Sequence, residues 1–199
     1  MITHGLFPTP VCCFDLGRDL SSKEKKLLLN QDQKPNASNT TSVDRNLLEN
    51  TKLSSLRKFV ETSLDEYIKE ICSPAQDIKL RITQSWANYT KPGQHHHKHV
   101  HPNSLISGVF YVKTNKDSDR IYFYRDGYQQ IKLPVDQWNL FNSDSWWLTA
   151  ETGQLLLFPS FFRHMVETVE GDDTRVSLSF NTFPVGYIGD DESLTGLNL

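Results

Sequence analysis

The sequence predicts a mainly β protein, with helices confined to its first third and a β-jelly roll in the rest. Three observations carry this. Short alternating or apolar runs at fairly even spacing, separated by turn signals, fill the stretch from residue 75 onward. The one long stretch whose apolar residues recur at three- and four-residue steps lies before it, at 53–72. Between the two, Ser73-Pro74 breaks the helical pattern. The expected organisation is a single domain over residues 1–199. Residues 1–74 supply an extended lead-in, a polar loop and supporting helices, and 75–199 supply the β core.

Each element has a local reason. Phe7-Pro8-Thr9-Pro10-Val11 is an extended lead-in, because each proline pushes its predecessor toward β or polyproline geometry. Ser21-x-x-Glu24 is a capping-box pattern ahead of a short helix over 23–30. Residues 30–46 are polar and turn-rich and read as a surface loop. Leu53, Leu56, Val60, Leu64, Tyr67, Ile68 and Ile71 then form one apolar helical stripe. This helix either supports the barrel or makes the contact of a homodimer, and the sequence does not separate the two. Residues 78–82 alternate strictly and 86–89 continue in strand-like composition. Further strands are expected at 105–112, 120–124, 146–149, 154–158, 164–169 and 175–182. Lys91-Pro92-Gly93, Asp126-Gly127, Thr152-Gly153 and the run 170–173 supply turns between many of them.

Composition excludes several classes of function. The 199 residues are 37% hydrophobic and 11% aromatic, which is core material and rules out a wholly disordered chain. No apolar run approaches the roughly 20 residues of a bilayer span, and the N-terminus has no signal-peptide pattern. A net charge of −3 is wrong for general nucleic-acid binding. Cys12, Cys13 and Cys72 are odd in number, and none sits in a C-x-x-C pair, so free thiols in a reducing, cytoplasmic setting are expected.

The chemistry is concentrated in histidines. Five of the seven fall within the run His95-His96-His97-Lys98-His99-Val100-His101. Neutral imidazole is a common ligand for zinc, iron, copper and nickel. In an extended segment alternate residues share a face, so either His99 with His101 or His97 with His99 can address one ion. His164 is the obvious third ligand, where the apolar run 155–158 passes through Pro159 and a short turn. Eleven residues on, Arg175, Ser177 and Ser179 share one face of an alternating strand. An inward-facing arginine is costly without an anion, and its fork suits a carboxylate. Apart from Arg163, Arg175 is the only Lys or Arg after Lys132.

These blocks resemble the iron(II)/2-oxoglutarate-dependent oxygenases, and within them the small stand-alone enzymes of marine bacteria and their phages. The resemblance is carried by Leu6-Phe7-Pro8-Thr9-Pro10, by the runs 85–89 and 91–93, by His99-Val100-His101-Pro102 through Tyr111, by Leu157 through His164, and by Arg175 through Asn181. It implies a cupin-like double-stranded β-helix holding one Fe(II), with His99, His101 and His164 as metal ligands. It also implies 2-oxoglutarate and O2 as cosubstrates, the C5 carboxylate resting on Arg175 with help from Ser177 and Tyr111. The implied reaction couples oxidative decarboxylation of 2-oxoglutarate to C–H hydroxylation of an unknown small molecule or protein side chain. One ligand departs from the superfamily, whose usual set is two histidines and a carboxylate. Position 101 is histidine, and no Asp or Glu lies between Asp77 and Asp117.

Other readings fit less of the sequence. A cupin-like metal- or sugar-binding module would carry a glutamate shortly after its His-x-His, and 102–108 contain none. A three-histidine dioxygenase without 2-oxoglutarate leaves Arg175 and its serines unexplained. A zinc hydrolase lacks a nearby carboxylate base. Trp86, Phe110, Trp146 and Trp147 are candidates for pocket walls, with ordinary core as the alternative.

Overall fold

A computed structural model describes residues 1–127, 131 and 133–199. The lead-in runs into a strand, β1 (Cys12–Asp15), but at Phe7, ahead of Pro8, the backbone is left-handed with φ of 55° rather than extended as expected. The strand is followed by α1 (Ser22–Leu29), which starts on the expected capping box: the Ser21 hydroxyl accepts from the Glu24 amide, and the Glu24 carboxylate accepts from the Ser21 amide. Arg18 grips the same carboxylate with both guanidinium ends, at 2.9 and 2.8 Å. That pairing, with the cap, holds the Glu24 carboxyl down at about 2 despite its burial.

The polar stretch 30–46 is more ordered than a loop. It forms a hairpin of β2 (Gln33–Pro35) and β3 (Thr40–Ser42), which docks on the edge of β4 (Lys79–Thr90). No apolar alternation announces these strands, because side-chain hydrogen bonds hold them. Ser42 Oγ accepts from the Ala87 amide, Thr41 Oγ1 donates to the Ala87 carbonyl, and Asn39 donates to Thr90. The long helix is α2 (Ser54–Tyr67), which widens into a π-turn over Ile68–Cys72 and stops at Ser73 with φ of 46°.

The remaining strands are β5 (His96–His99), β6 (Ile106–Lys113), β7 (Arg120–Tyr124), β8 (Ser145–Thr149), β9 (Gln154–Pro159), β10 (His164–Val166) and β11 (Arg175–Val185), then a short pair, β12 (Tyr187–Ile188) and β13 (Leu197–Asn198). Apart from the two-stranded sheet of β12 and β13, the strands build two antiparallel sheets. The larger has the order β1-β9-β6-β11-β4-β3-β2 and the smaller β5-β10-β7-β8.

Period-two alternation gives the larger sheet two different faces. Val176, Leu178 and Phe180 of β11, Ala87 and Tyr89 of β4, and Leu155 and Leu157 of β9 pack with Leu56, Val60, Leu64 and Tyr67 of α2. The apolar stripe of α2 is thus consumed inside the chain. Tyr111, Leu156 and Phe158 face the other way and join Ile121 and Phe123 in a second core between the sheets. Phe110 belongs to the first core, edge-on to Phe59 at 6.4 Å, and is not a pocket wall. Trp146 and Trp147 are 39% and 41% exposed, in the core of neither face, with Arg120 over the Trp147 ring.

Close packing here is tested at Gly108. A Cβ at this position would lie 2.2 Å from Cζ of the fully buried Phe180. Gly108→Ala is expected to destabilise the protein by about 1–3 kcal/mol through overpacking, read as a lower urea midpoint. An unchanged midpoint would mean the two strands are not packed this closely.

Candidate metal centre

Antiparallel pairing creates the site. His99 at the end of β5 stands directly opposite His164 at the start of β10. His101 lies two residues beyond His99, its backbone amide tied to the Ser160 carbonyl at 3.0 Å. One ligand atom from each of the three imidazoles comes within 4.8 Å of the others. The ring centroids are separated by 4.9 Å (His99–His101), 4.4 Å (His99–His164) and 5.2 Å (His101–His164). Two of the rings are oriented by backbone. His99 Nδ1 lies 2.7 Å from the His97 carbonyl and His164 Nδ1 lies 2.9 Å from the Phe162 carbonyl. A carbonyl only accepts, so both Nδ1 atoms carry the proton and both Nε2 lone pairs are free to ligate. His97 stays outside this cluster, its Nδ1 buried without a partner.

Burial keeps the imidazoles in the ligating, neutral form. It pulls His101 down to about 4 and His164 to about 3, reinforced in each by neighbouring histidines. His96 falls further, to about 2, for the same reasons. This residue was missed in the sequence, where strict alternation puts it on the face opposite His99. Its register explains the difference: between the pairs His99–His164 and His96–Val166, two residues of β5 (His97 and Lys98) oppose one of β10 (Met165). The bulge turns His96 inward, so that it stacks on His99 at 4.5 Å and lines the cavity.

That cavity runs from the three histidines along the inner face of the larger sheet. Trp86, Asn88 and Thr90 of β4, Tyr111 of β6, and Arg175, Ser177 and Ser179 of β11 line it. No acidic side chain is among the described lining residues. Arg175 is 5% exposed and already holds an anion that the sequence reading did not supply. Its Nη1 donates to Asp119 Oδ1 at 3.1 Å and its Nη2 to the Glu167 carbonyl at 3.2 Å. Asp119 sits in a polar turn ahead of β7, and nothing local in the sequence marks it as a partner for a residue 56 positions away. The Tyr111 hydroxyl and Asn88 Oδ1 are buried with no hydrogen-bond partner. Burial raises the Tyr111 phenol well above its usual range, so it stays a donor facing the cavity. Orphaned buried groups cost about 1–3 kcal/mol each. Three converging imidazole nitrogens beside a buried guanidinium and an unpaired phenol fit a divalent metal and an anionic oxygen ligand.

The depressed imidazoles give a pH prediction. Their folded values lie below the unfolded value near 6.5, so the unfolded chain binds more protons as pH falls from about 6.5 toward 4. The stability present above pH 6.5 is lost on acidification. Metal-free protein is expected to show a lower urea midpoint at pH 5 than at pH 7.5. Nickel(II) at a hundred times its Kd should add about 2.7 kcal/mol at neutral pH, and His164→Ala should lose that increment. An increment that survives His164→Ala would remove His164 from the ligand set.

Residues 84–181, which include all three histidines, Tyr111 and Arg175, match the family model described as "Putative 2OG-Fe(II) oxygenase". Three solved structures are similar in fold. One is an oxidoreductase of the 2OG-Fe(II) oxygenase family from Burkholderia pseudomallei, at TM-score 0.57 and 13% identity over 81% of this chain and 78% of that one. A second is HygX from Streptomyces hygroscopicus with nickel and 2-oxoglutarate bound, at 0.57 and 10% over 87% and 82%. The third is SnoK, a non-heme α-ketoglutarate-dependent carbocyclase of nogalamycin biosynthesis, at 0.60 and 12% over 87% and 79%. None of the curated proteins matches the chain. The likeness to solved structures identifies the two facing antiparallel sheets as a double-stranded β-helix. Residues 84–181, just under half of the chain, thus carry the match to the 2-oxoglutarate–Fe(II) oxygenase family, and the site described above lies within them.

Proposed function

We propose that the protein is an Fe(II)- and 2-oxoglutarate-dependent hydroxylase. The observation that carries this reading is the pairing of a three-imidazole cluster with a buried Arg175 and an unsatisfied Tyr111 hydroxyl in one cavity. His99, His101 and His164 would hold the metal, His99 and His164 through Nε2. Arg175 would take the distal carboxylate of 2-oxoglutarate, with the Ser177 and Tyr111 hydroxyls as further donors. When bound, iron with 2-oxoglutarate and O2 supplies the oxidising chemistry, in which loss of CO2 from the keto acid drives C–H hydroxylation. The protein's own contribution is positioning and exclusion of water. The lining offers no carboxylate to act as an acid or base. The substrate is a small molecule or a protein side chain. Among the described residues no helix is long and apolar enough to cross a membrane, and three free thiols favour a cytoplasmic setting.

Anaerobic addition of Fe(II) and then 2-oxoglutarate is expected to produce the visible charge-transfer band of a chelated keto acid. A metal-binding module without 2-oxoglutarate turnover would show no such band, and its absence would reject the reading. Arg175→Gln keeps a donor for Asp119 while removing the charge. It should weaken 2-oxoglutarate by about 2–5 kcal/mol, the range for breaking a buried charge-paired contact, and leave metal affinity nearly unchanged. Equal loss of both, in calorimetric titrations, would mean that the substitution disrupts the fold instead.

A further inference from the structure

Three neutral imidazoles leave the metal's charge without the partial compensation that a ligating carboxylate gives. The cavity lining contains no acid. Of the described acidic residues only Glu24 and Asp119 are less than a tenth exposed, and Glu24 is taken by Arg18 and Ser21. Asp119 therefore stands out as the one buried negative charge against the cavity, acting through Arg175. We propose that Asp119 supplies, at the carboxylate-binding end of the cavity, the negative charge that the His101 ligand withholds at the metal end, and so sets the affinity for a dicarboxylate cosubstrate. The proposal rests on the reading of Arg175 as the anchor for 2-oxoglutarate.

Asp119 is built to stay. Its Oδ2 accepts from the Asn115 amide at 2.8 Å, its own amide donates to the Asn115 carbonyl at 2.7 Å, and its carbonyl accepts from the Ala150 amide at 3.0 Å. An incoming carboxylate does not displace a side chain held at both oxygens. It meets a guanidinium already fixed by Asp119 and the Glu167 carbonyl, with its charge partly balanced. The formal charges then match. A divalent metal and Arg175 give three positive charges, Asp119 reduces them to two, and the dianion of 2-oxoglutarate cancels these. A site with a carboxylate ligand and an unpaired arginine reaches the same sum by another route. Without either carboxylate, one buried positive charge would remain after the cosubstrate binds, and an uncompensated buried charge is costly.

The test compares nickel(II)-loaded wild type, Asp119→Asn, His101→Asp and the double variant, with metal content verified in each. Each is titrated calorimetrically with 2-oxoglutarate and with 2-oxobutanoate, which lacks the distal carboxylate. A unit charge several ångströms away at an effective dielectric near 20 changes affinity by about tenfold or more. Asp119→Asn should therefore bind 2-oxoglutarate about tenfold tighter, and His101→Asp about tenfold weaker. The double variant should return to within about threefold of wild type, because distant charge changes add. Binding of 2-oxobutanoate should respond to Asp119→Asn much less. If thermal melting shows Asp119→Asn unfolded, Asp119→Ser, which keeps an acceptor for the Asn115 amide, replaces it in both backgrounds. Unchanged or weaker 2-oxoglutarate binding in the folded Asp119 variant, or wild-type affinity in His101→Asp, overturns the charge assignment. The anchor reading fails separately: 2-oxoglutarate would then bind wild type no tighter than 2-oxobutanoate and be indifferent to Arg175→Gln.

Discussion

Alternation along β11 is the constraint from which the rest of the molecule follows. Val176, Leu178 and Phe180 turn to the helices, while Arg175, Ser177 and Ser179 turn to the cavity. One strand thus sits between a dry core and a polar site. Its two neighbours, β4 and β6, pair with it residue by residue from Ser177 to Asn181, with Ser177 opposite Asn88 on one side and Tyr111 on the other. A shift of one residue would exchange the two faces, exposing Leu178 and Phe180 to the cavity and burying Arg175 under α2. The apolar core therefore fixes where the polar groups of the site stand, although it touches few of them.

The strands with a clean apolar period were legible in the sequence, and so were the residues that depend only on that period. Arg175, Ser177 and Ser179 share a face as alternation requires, and His99 and His101 come together two residues apart, His99 at the end of β5 and His101 just beyond it. What the sequence hid depends on distant partners. The hairpin of β2 and β3 has no apolar signature, since hydroxyls and an amide hold it to β4. His96 reaches the cavity through a bulge, which no periodic reading anticipates. Asp119 is one acid in the run Asn115-Lys116-Asp117-Ser118-Asp119, and only the tertiary fold selects it over Asp117 as the partner of Arg175.

The same distinction explains the aromatic residues. Composition alone treats Trp86, Phe110, Trp146 and Trp147 alike. Phe110 falls on the helix-facing side of β6, Trp86 on the cavity side of β4, and Trp146 and Trp147 on the smaller sheet, beyond both cores. Face and strand position decide their roles, and chemical type does not.

The cost of the site identifies what the helical first third does. Tyr111 Oη and Asn88 Oδ1 are buried without partners, and Arg175 and Asp119 form an ion pair only 4% exposed at each side chain. Unsatisfied groups and buried ion pairs lower stability or leave it unchanged, so the polar part of the inner face contributes little to holding the protein together. The opposite face must supply what the inner face withholds. There Leu28, Leu47, Leu53, Leu56 and Val60, all contributed by residues before β4, are fully removed from water against Leu155, Leu157, Leu178 and Phe180. Fully burying each such side chain stabilises by about 1.5–3 kcal/mol. The helices need not touch the histidine cluster to be required by it. They cover the back of the sheet whose front is left polar, with buried hydrogen-bonding groups unmet.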